Sequence, residues 1–214
     1  MCSLKSNFAD ALANIMCFKP NIIFLTGKTC NGKSFFSNIL KNQANYKILE
    51  LDVLVRQLGE KHNIGTAPNY SNAFKVFKNQ STVQLTKDFT RLIRKFIKNN
   101  EYVIIEGALN SVPIIKKIFK NYSYTFIYLY PWFVKNYYRR IMKRLQNDLD
   151  SNIQTVSFWN TIPEDILNKI YENGLEDSDV KKYILNMTKI MKKSSNKRYK
   201  HFKTNNLNMY TVFV

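Results

Sequence analysis

The segment GKTCNGKS, residues 27 to 34, constrains the fold of this chain more than any other feature. It matches the pattern G-x-x-x-x-G-K-[ST] through Gly27, Gly32, Lys33 and Ser34. The apolar run NIIFLT before it predicts a buried strand, and GKSFFSNILKN after it has its apolar residues at helical spacing. Glycines between a strand and a helix let successive backbone N–H groups converge on an anion at the helix N-terminus. The sequence therefore predicts a phosphate-binding loop.

The loop and the first turn of its helix are the predicted nucleotide-binding residues. Lys33 would neutralise the β- and γ-phosphates, and the Ser34 hydroxyl would ligate Mg²⁺. The other side chains matter less, because such a loop binds through backbone amides. The full predicted set is Gly27, Lys28, Thr29, Cys30, Asn31, Gly32, Lys33, Ser34 and Phe35.

Strands and helices alternate along the chain. Further strands are predicted at YKILELD, YVIIEG, YTFIYLY and MYTVFV. The helix TVQLTKDFTRLIRKFIKN has the clearest apolar face, formed by Leu85, Phe89, Leu92, Ile93, Phe96 and Ile97. Apolar strands without period-two alternation indicate a parallel sheet covered by helices on both faces. Ligands of such sheets bind beyond the carboxyl ends of the strands, so residues that follow each strand are candidate site residues.

Two acidic residues follow predicted strands. Asp52, at the end of the second strand, would accept a proton from a substrate hydroxyl or hold Mg²⁺ through water, and it would also serve as a helix N-cap. Glu106, at the end of the third strand, would orient Mg²⁺ or contact the substrate. Arg56, one helical turn after Asp52, is either an anion-binding residue or a solvated helix arginine.

The helix YYRRIMKRLQND carries Arg139, Arg140, Lys143 and Arg144 within two turns. Like charges at i and i+4 repel, so the arrangement is costly without a nearby anion. A lid whose arginines close over transferring phosphates would supply that anion and exclude water. A solvated basic face is the alternative.

The chain is strongly basic. Lys and Arg number 33 against 15 Asp and Glu, a formal charge of +18, which indicates an anionic partner or a compositional bias. The acid-free stretch 181–203 would contact a nucleic-acid backbone. Three cysteines and two histidines have no ligand-like spacing, and no membrane-spanning run is present. We expect an intracellular, reducing, cytoplasmic location, with nuclear import through residues 192–203 as an alternative.

We predict one domain over residues 1–214. An amphipathic helix over residues 1–20 would precede a nucleotide-binding core and lid helix over residues 21–149. Residues 150–214 would form a helical, basic part that ends in a strand. A loop with a short helix around NAFKVFK is expected between residues 63 and 81, and the stretch SSNKRYKHFKTNN is expected to be a connector. The sequence does not indicate an oligomeric state.

Over residues 21–148 the chain resembles the P-loop kinases, the small-molecule phosphotransferases of the P-loop NTPase fold. The phosphate loop, LELD after the second strand, VIIEG at the third and the arginine-rich helix carry the resemblance. VIIEGAL, FIYLYP and RIMKRLQND are most similar to the uridine kinase and phosphoribulokinase branch, although Asn147 stands where that pattern has its last arginine. LDVLVRQL is equally similar to adenylylsulfate kinases and polynucleotide 5′-kinases.

The resemblance implies a three-layer fold with a parallel sheet of five strands in the order 2-3-1-4-5. It also implies ATP and Mg²⁺ as cofactors, Asp52 as the base, and Arg140 and Arg144 as lid groups. Catalysis would then use Lys33, Asp52, Arg140 and Arg144. Asp52, Arg56, Glu106 and Arg139 would bind the acceptor, and Ser34, Asp52 and Glu106 would hold the metal. The function expected is transfer of the γ-phosphate of ATP to a nucleoside, a nucleotide or a similar metabolite. A polynucleotide 5′-kinase and a non-catalytic nucleic-acid-binding protein are the alternatives.

Overall fold

The computed structural model describes residues 5–61, 82–152 and 159–214, in which strands and helices alternate. The first half consists of β1 (Lys5–Asn7), α1 (Phe8–Phe18), β2 (Ile22–Gly27), α2 (Lys33–Ala44), β3 (Lys47–Glu50), α3 (Leu51–Lys61) and α4 (Thr82–Lys98). The second half consists of β4 (Val103–Glu106), α5 (Val112–Phe119), β5 (Thr125–Tyr130), α6 (Val134–Asp150), a 3-10 turn (Trp159–Thr161), α7 (Glu164–Asn173), α8 (Ser178–Thr204) and β6 (Met209–Phe213).

The described strands form one parallel sheet of six strands in the order β1-β6-β5-β2-β4-β3. The prediction of a five-stranded sheet in the order 2-3-1-4-5 is therefore wrong. Lys5–Asn7, which was predicted to lie in the N-terminal helix, pairs instead with β6 in the register Lys5↔Thr211. Without β1, the remaining strands follow the order β3-β4-β2-β5-β6. The predicted parallel α/β architecture is confirmed.

Helices cover both faces of the sheet, because successive apolar residues of the central strands point to opposite sides. Phe24 and Tyr128 lie in a core with α3, α4 and α5. Leu25 and Leu129 lie in a second core with α1 and α2. Burial of both faces explains why the strands lack polar alternation. The predicted apolar face of α4 is buried at Phe89, Ile93 and Ile97, partly buried at Leu92 and Phe96, and outside the described side chains at Leu85.

A third cluster joins α6, α7 and the first half of α8. Helix α8 then continues for 27 residues in all, so the prediction of a connector at 194–206 is wrong. The stretch is polar, but its few inward side chains are well packed: Ser195 hydrogen-bonds with the Tyr128 hydroxyl, and the Phe202 ring packs against Phe126. These two residues lie two helical turns apart on the buried face of α8, and the other faces of this part of the helix can be polar because they are exposed to water.

The predicted loop and short helix at residues 63–81 lie outside the described residues. No helix in the described ranges is long and apolar enough to cross a membrane.

Candidate active site

The loop between β2 and α2 starts where β2 meets its neighbour β5. A Cβ atom on Gly27 would lie 2.9 Å from the carbonyl oxygen of Leu129, so the loop leaves the sheet through a position that only glycine fits. Gly32 has a φ of 82° and caps α2, a left-handed conformation that suits glycine. Cys30 has a φ of 59°, which is uncommon for a residue with a side chain.

Side chains from other elements fix the loop. The Asn31 amide is buried and donates a hydrogen bond to the carbonyl of Leu129, over 2.8 Å. The Tyr137 hydroxyl of α6 donates to the carbonyl of Thr29, also over 2.8 Å. Phe35, the third residue of α2, stacks on Phe8 of α1. These side chains therefore hold the loop in shape, and none of the three contacts uses a backbone N–H group of the loop.

Two lysines of the loop are desolvated. The Lys33 ammonium donates to the carbonyl of Lys28 over 3.2 Å, and burial lowers the pKa of Lys33, with Glu106 and Asp52 opposing that change. Burial, with a smaller contribution from Arg198, lowers the pKa of Lys28 to about 8. A bound polyanion would raise both pKa values, because an opposite charge favours the ionised form.

The carboxylate of Glu106 lies against the first turns of α2. Ser34 donates a hydrogen bond to Oε1 over 2.8 Å, and Ser37 donates to Oε2. Glu106 is buried at the end of β4, the strand next to β2, as predicted from the sequence. A buried carboxylate needs such partners, and the two hydroxyls fix its orientation.

Asp52 lies in the first turn of α3 and not at the end of a strand, because β3 ends at Glu50. Its carboxylate interacts with Lys33, Glu106 and Arg56. Desolvation raises the pKa of Asp52, Glu106 adds to the rise, and the two cations oppose it. A carboxylate with a raised pKa beside a phosphate loop is suited to accepting a proton near neutral pH.

A glycine sets the position of α3. A Cβ atom on Gly107 would lie 2.6 Å from Cβ of Leu51, the residue before Asp52. The Glu-Gly pair at the end of β4 therefore has two separate roles: Glu106 faces α2, and Gly107 makes room for α3. The sequence predicts the first role and does not reveal the second.

The arginines of α6 differ in their environments. Arg140 is half-buried, its guanidinium lies 5.8 Å from the Tyr137 ring centre, and its Nε and one Nη have no hydrogen-bond partner among the described residues. Burial lowers the pKa of Arg140. Arg144 forms an ion pair of 3.3 Å with Asp148, whose other oxygen accepts from Trp159. Arg139 is exposed on the same helix.

Arg140 and Arg144 both face the loop. Burial raises the pKa of the Cys30 thiol to about 11, and the positive charges of Arg144, Lys33 and Arg140 oppose the rise. The structure thus brings Lys33, Ser34, Glu106 and Asp52 together at the carboxyl ends of β2, β3 and β4, with the two arginines on the other side of the loop.

Three residues beside the site were not predicted. Ser37 is spaced i+3 from Ser34, a spacing that places both on one helix face and would have revealed it. Tyr137 belongs to the arginine helix, α6. Its large apolar ring indicates a core position, and the sequence gives no sign of the hydrogen bond from its hydroxyl to Thr29. Arg198 lies on α8, close enough to affect Lys28 and Lys33, and no local pattern links it to the loop.

The donor set of the site suits a hydrated Mg²⁺ ion. No cluster of three or more acidic, histidine or cysteine ligands occurs in the described ranges, so a cage made of protein carboxylates is not present there. Mg²⁺ usually keeps several waters and takes one or two carboxylates plus substrate phosphates. Ser34 and Glu106, in direct contact, with Asp52 beside them, fit that pattern.

No family model matches the sequence, and no curated protein matches it. The strand order and the loop define a P-loop kinase-like fold, and the solved structures that resemble it include kinases. A shikimate kinase from Bacteroides thetaiotaomicron has a TM-score of 0.41 and 14% identity, covering 79% of this chain and 97% of that one. A gluconokinase from Sinorhizobium meliloti has a TM-score of 0.39 and 12% identity, covering 84% and 96%.

A chain of the Pnkp1/Rnl/Hen1 RNA repair complex has a TM-score of 0.43 and 14% identity, and the match covers 82% of this chain. This chain spans 46% of that one, and 38% of the matching chain in a second structure of the complex. The resemblance to uridine kinase and phosphoribulokinase is not confirmed by these structures.

Proposed function

We propose that this protein is an ATP-dependent phosphotransferase that moves the γ-phosphate to a hydroxyl group of a small metabolite, a nucleoside or a nucleotide. The observation that carries the proposal is that Lys33 of the phosphate loop lies close enough to the carboxylates of Glu106 and Asp52 to interact with their charges. A loop that served binding alone would not need two carboxylates beside its lysine, whose charges oppose that of a phosphate.

The triphosphate would bind along residues 27–35. Backbone amides of the loop and the N-terminus of α2 would receive the phosphate oxygens. Contact with them would raise the pKa values of Lys28 and Lys33, since a phosphate offsets the desolvation of both ammonium groups.

Ser34, Glu106 and Asp52 would hold Mg²⁺ together with waters and phosphate oxygens. The ion supplies neutralisation of the charge that develops on the transferring group. The hydrogen bond from Ser34 to Glu106 supports this assignment, because the hydroxyl and the carboxylate already share one small volume. Ser37 would keep the second oxygen of Glu106 in place.

Asp52 would accept the proton of the acceptor hydroxyl. The raised pKa of Asp52 makes it a stronger base than an aspartate of ordinary pKa. Arg56, one turn along α3, and Arg139 on α6 would bind an anionic group of the acceptor. Arg140 and Arg144 would stabilise charge in the transfer. Two nitrogens of Arg140 have no hydrogen-bond partner among the described residues, which supports its assignment.

The test is transfer of labelled γ-phosphate to a panel of nucleosides, nucleotides and 5′-hydroxyl oligonucleotides. We expect Lys33→Ala to reduce transfer by at least about a hundredfold, a typical loss for one phosphate-stabilising group. Lys41→Ala, at an exposed position of the same helix, is the matched control and should transfer normally. Asp52→Asn should lower kcat while nucleotide binding persists.

Two results would overturn the proposal. One is full transfer by Lys33→Ala or Asp52→Asn, and the other is an absence of transfer to every acceptor when ATP binding is tight. A thermal-shift screen of the same acceptors, with and without a non-hydrolysable ATP analogue, identifies the class of acceptor, because a ligand raises the melting temperature of the state that it binds. Stabilisation by oligonucleotides alone would exclude a small metabolite.

A further inference from the structure

A basic groove lies between α4 and α5, on a part of the molecule that the phosphate loop does not use. Its volume is about 540 Å³. Lys87, Arg91, Lys95 and Lys98 of α4 line one side, and Lys117 of α5 lines the other. All five side chains are exposed.

The groove is distant from the candidate active site. Helix α4 ends at Lys98, shortly before β4 begins at Val103, and α5 ends at Phe119, before β5 begins at Thr125. The C-terminal ends of both helices therefore lie at the amino edge of the parallel sheet. The phosphate loop lies at the carboxyl edge. A ligand of the groove would not compete with a nucleotide in the loop.

The charge pattern of α4 is costly without an anion. Lys87, Arg91 and Lys95 follow one another at intervals of four residues, and like charges at that spacing destabilise a helix. Asp88 is the one acidic residue between 82 and 98, and it forms an ion pair of 3.2 Å with Arg91. The remaining lysines lack an acidic residue on their own helix that would offset their repulsion.

Two further residues give the groove a fixed structure. Arg94 donates hydrogen bonds from its guanidinium to the carbonyls of Lys117 and Ile118, and these bonds tie α4 to the C-terminal end of α5. Thr90 is 4% exposed and lines the groove, and its hydroxyl has no hydrogen-bond partner within the described ranges. A buried hydroxyl without a partner costs free energy that an acceptor oxygen would recover.

We propose that this groove binds nucleic acid through its phosphodiester backbone. Four exposed cationic side chains, Lys87, Arg91, Lys95 and Lys98, form a row over which the helix rises about 16 Å. One strand of a double helix carries one phosphate per about 3.4 Å, so the row spans about five phosphates. No aromatic ring is among the described residues that line the groove, so these residues offer no stacking platform for bases. Binding is therefore independent of base sequence and steeply dependent on salt.

The experiment measures fluorescence anisotropy of a labelled 20-base-pair DNA duplex of mixed sequence, without ATP. The groove variant combines Lys87→Gln, Lys95→Gln and Lys98→Gln. Its matched control combines Lys19→Gln, Lys41→Gln and Lys47→Gln, three exposed lysines outside the groove and outside residues 181–203, with the same change of charge. We expect the groove variant to bind at least about tenfold more weakly at 0.1 M salt, with a salt slope less steep by about 2.

Equal losses in the groove variant and its matched control would overturn the proposal, because binding would then follow net charge alone. Thr90→Val keeps shape and charge, and it should weaken DNA binding by a few-fold. Unchanged DNA binding by both Thr90→Val and the groove variant would also refute the proposal. Polyglutamate and anionic vesicles serve as competitors. Displacement of the DNA by either one at equal charge would assign the groove to acidic proteins or to membranes instead.

Two controls separate this proposal from that of the proposed function. Lys33→Ala should keep full DNA affinity, since the loop lies at the opposite edge of the sheet. The groove variant should keep its phosphate transfer to small acceptors. Loss of DNA binding in Lys33→Ala would place the nucleic acid at the loop and would reject the groove.

Discussion

The hydroxyl of Ser37 donates a hydrogen bond to Oε2 of Glu106, one helical turn after Ser34 donates to Oε1. Glu106 is thus held by α2 through two successive turns, and its carboxylate cannot rotate without losing a partner. The residue proposed to bind metal is therefore positioned by a serine that itself lies outside the phosphate-loop pattern.

Removal of this second partner should have a measurable cost. We expect Ser37→Ala to lower the free energy of unfolding by about 1 to 3 kcal/mol, because a buried carboxylate oxygen loses its hydrogen bond. It should also lower kcat more than it changes the KM for ATP. Denaturant unfolding and steady-state kinetics measure these effects. Asn38→Ala, exposed on the next position of α2, is the control, and an equal loss there would contradict the argument.

Lys28 should report nucleotide binding through protons. Its pKa of about 8 leaves about half of the loops without that charge at pH 8, and bound phosphates would restore it. We expect ATP binding at pH 8 to take up about half a proton at this residue, measured by calorimetry in buffers of different ionisation enthalpy. Lys28→Met should remove that uptake, and an unchanged value would show that another group titrates.

The same pKa has a consequence for stability without ligand. Between about pH 8 and the ordinary lysine pKa of about 10.4, the unfolded chain binds more protons at Lys28 than the folded chain does. The contribution of this residue to the free energy of unfolding should therefore rise with pH in that window. Comparison of the wild type with Lys28→Met at pH 7.5 and pH 10 isolates it.

Gly107→Ala should displace α3. A Cβ atom there would lie 2.6 Å from Cβ of Leu51, and such overpacking typically costs about 1 to 3 kcal/mol. Because Asp52 follows Leu51 directly, we expect phosphate transfer to fall together with stability, whereas ATP binding should be less affected. Ala108→Ser, at the next and half-buried position, is the control. Unfolding curves and transfer assays measure both effects. Equal stability and equal transfer in the two variants would contradict the argument.

Cys30 should be chemically inert despite its position in the loop. Burial raises the pKa of its thiol to about 11, so about one molecule in a thousand carries the thiolate at pH 8. Cys17 is exposed and should react with iodoacetamide much faster, as peptide mass spectrometry would measure site by site. Equal rates at the two residues would mean that the loop opens readily. Full activity in Cys30→Ser would agree with a role limited to packing.

The sequence predicts those parts of the fold that depend on neighbouring residues. The phosphate loop, its flanking strand and helix, and Glu106 at the end of β4 all follow from local patterns. It does not predict β1, because Lys5–Asn7 is short and polar, and its strand conformation depends on pairing with β6 at the far end of the chain. The helical state of residues 194–204 likewise depends on contacts of Ser195 and Phe202 with β5.

The residues of the candidate site likewise include some that local sequence patterns predict and some that they do not. Asp52 and Arg56 are predicted from their place at and after the end of a strand, although the helix begins two residues earlier than expected, at Leu51. Arg198 approaches the loop from a helix about 165 residues further along the chain, a distance over which no spacing rule operates. Three-dimensional packing alone brings it there.

Helix α8 has one more consequence. Its 27 residues extend for about 40 Å, with Val180 and Ile184 in the cluster around α6 and Phe202 in the core beneath the sheet. One helix therefore contributes to both hydrophobic clusters. A tilt of α6 that moved the first turns of α8 would also displace its last turns, where Phe202 packs against Phe126 of β5.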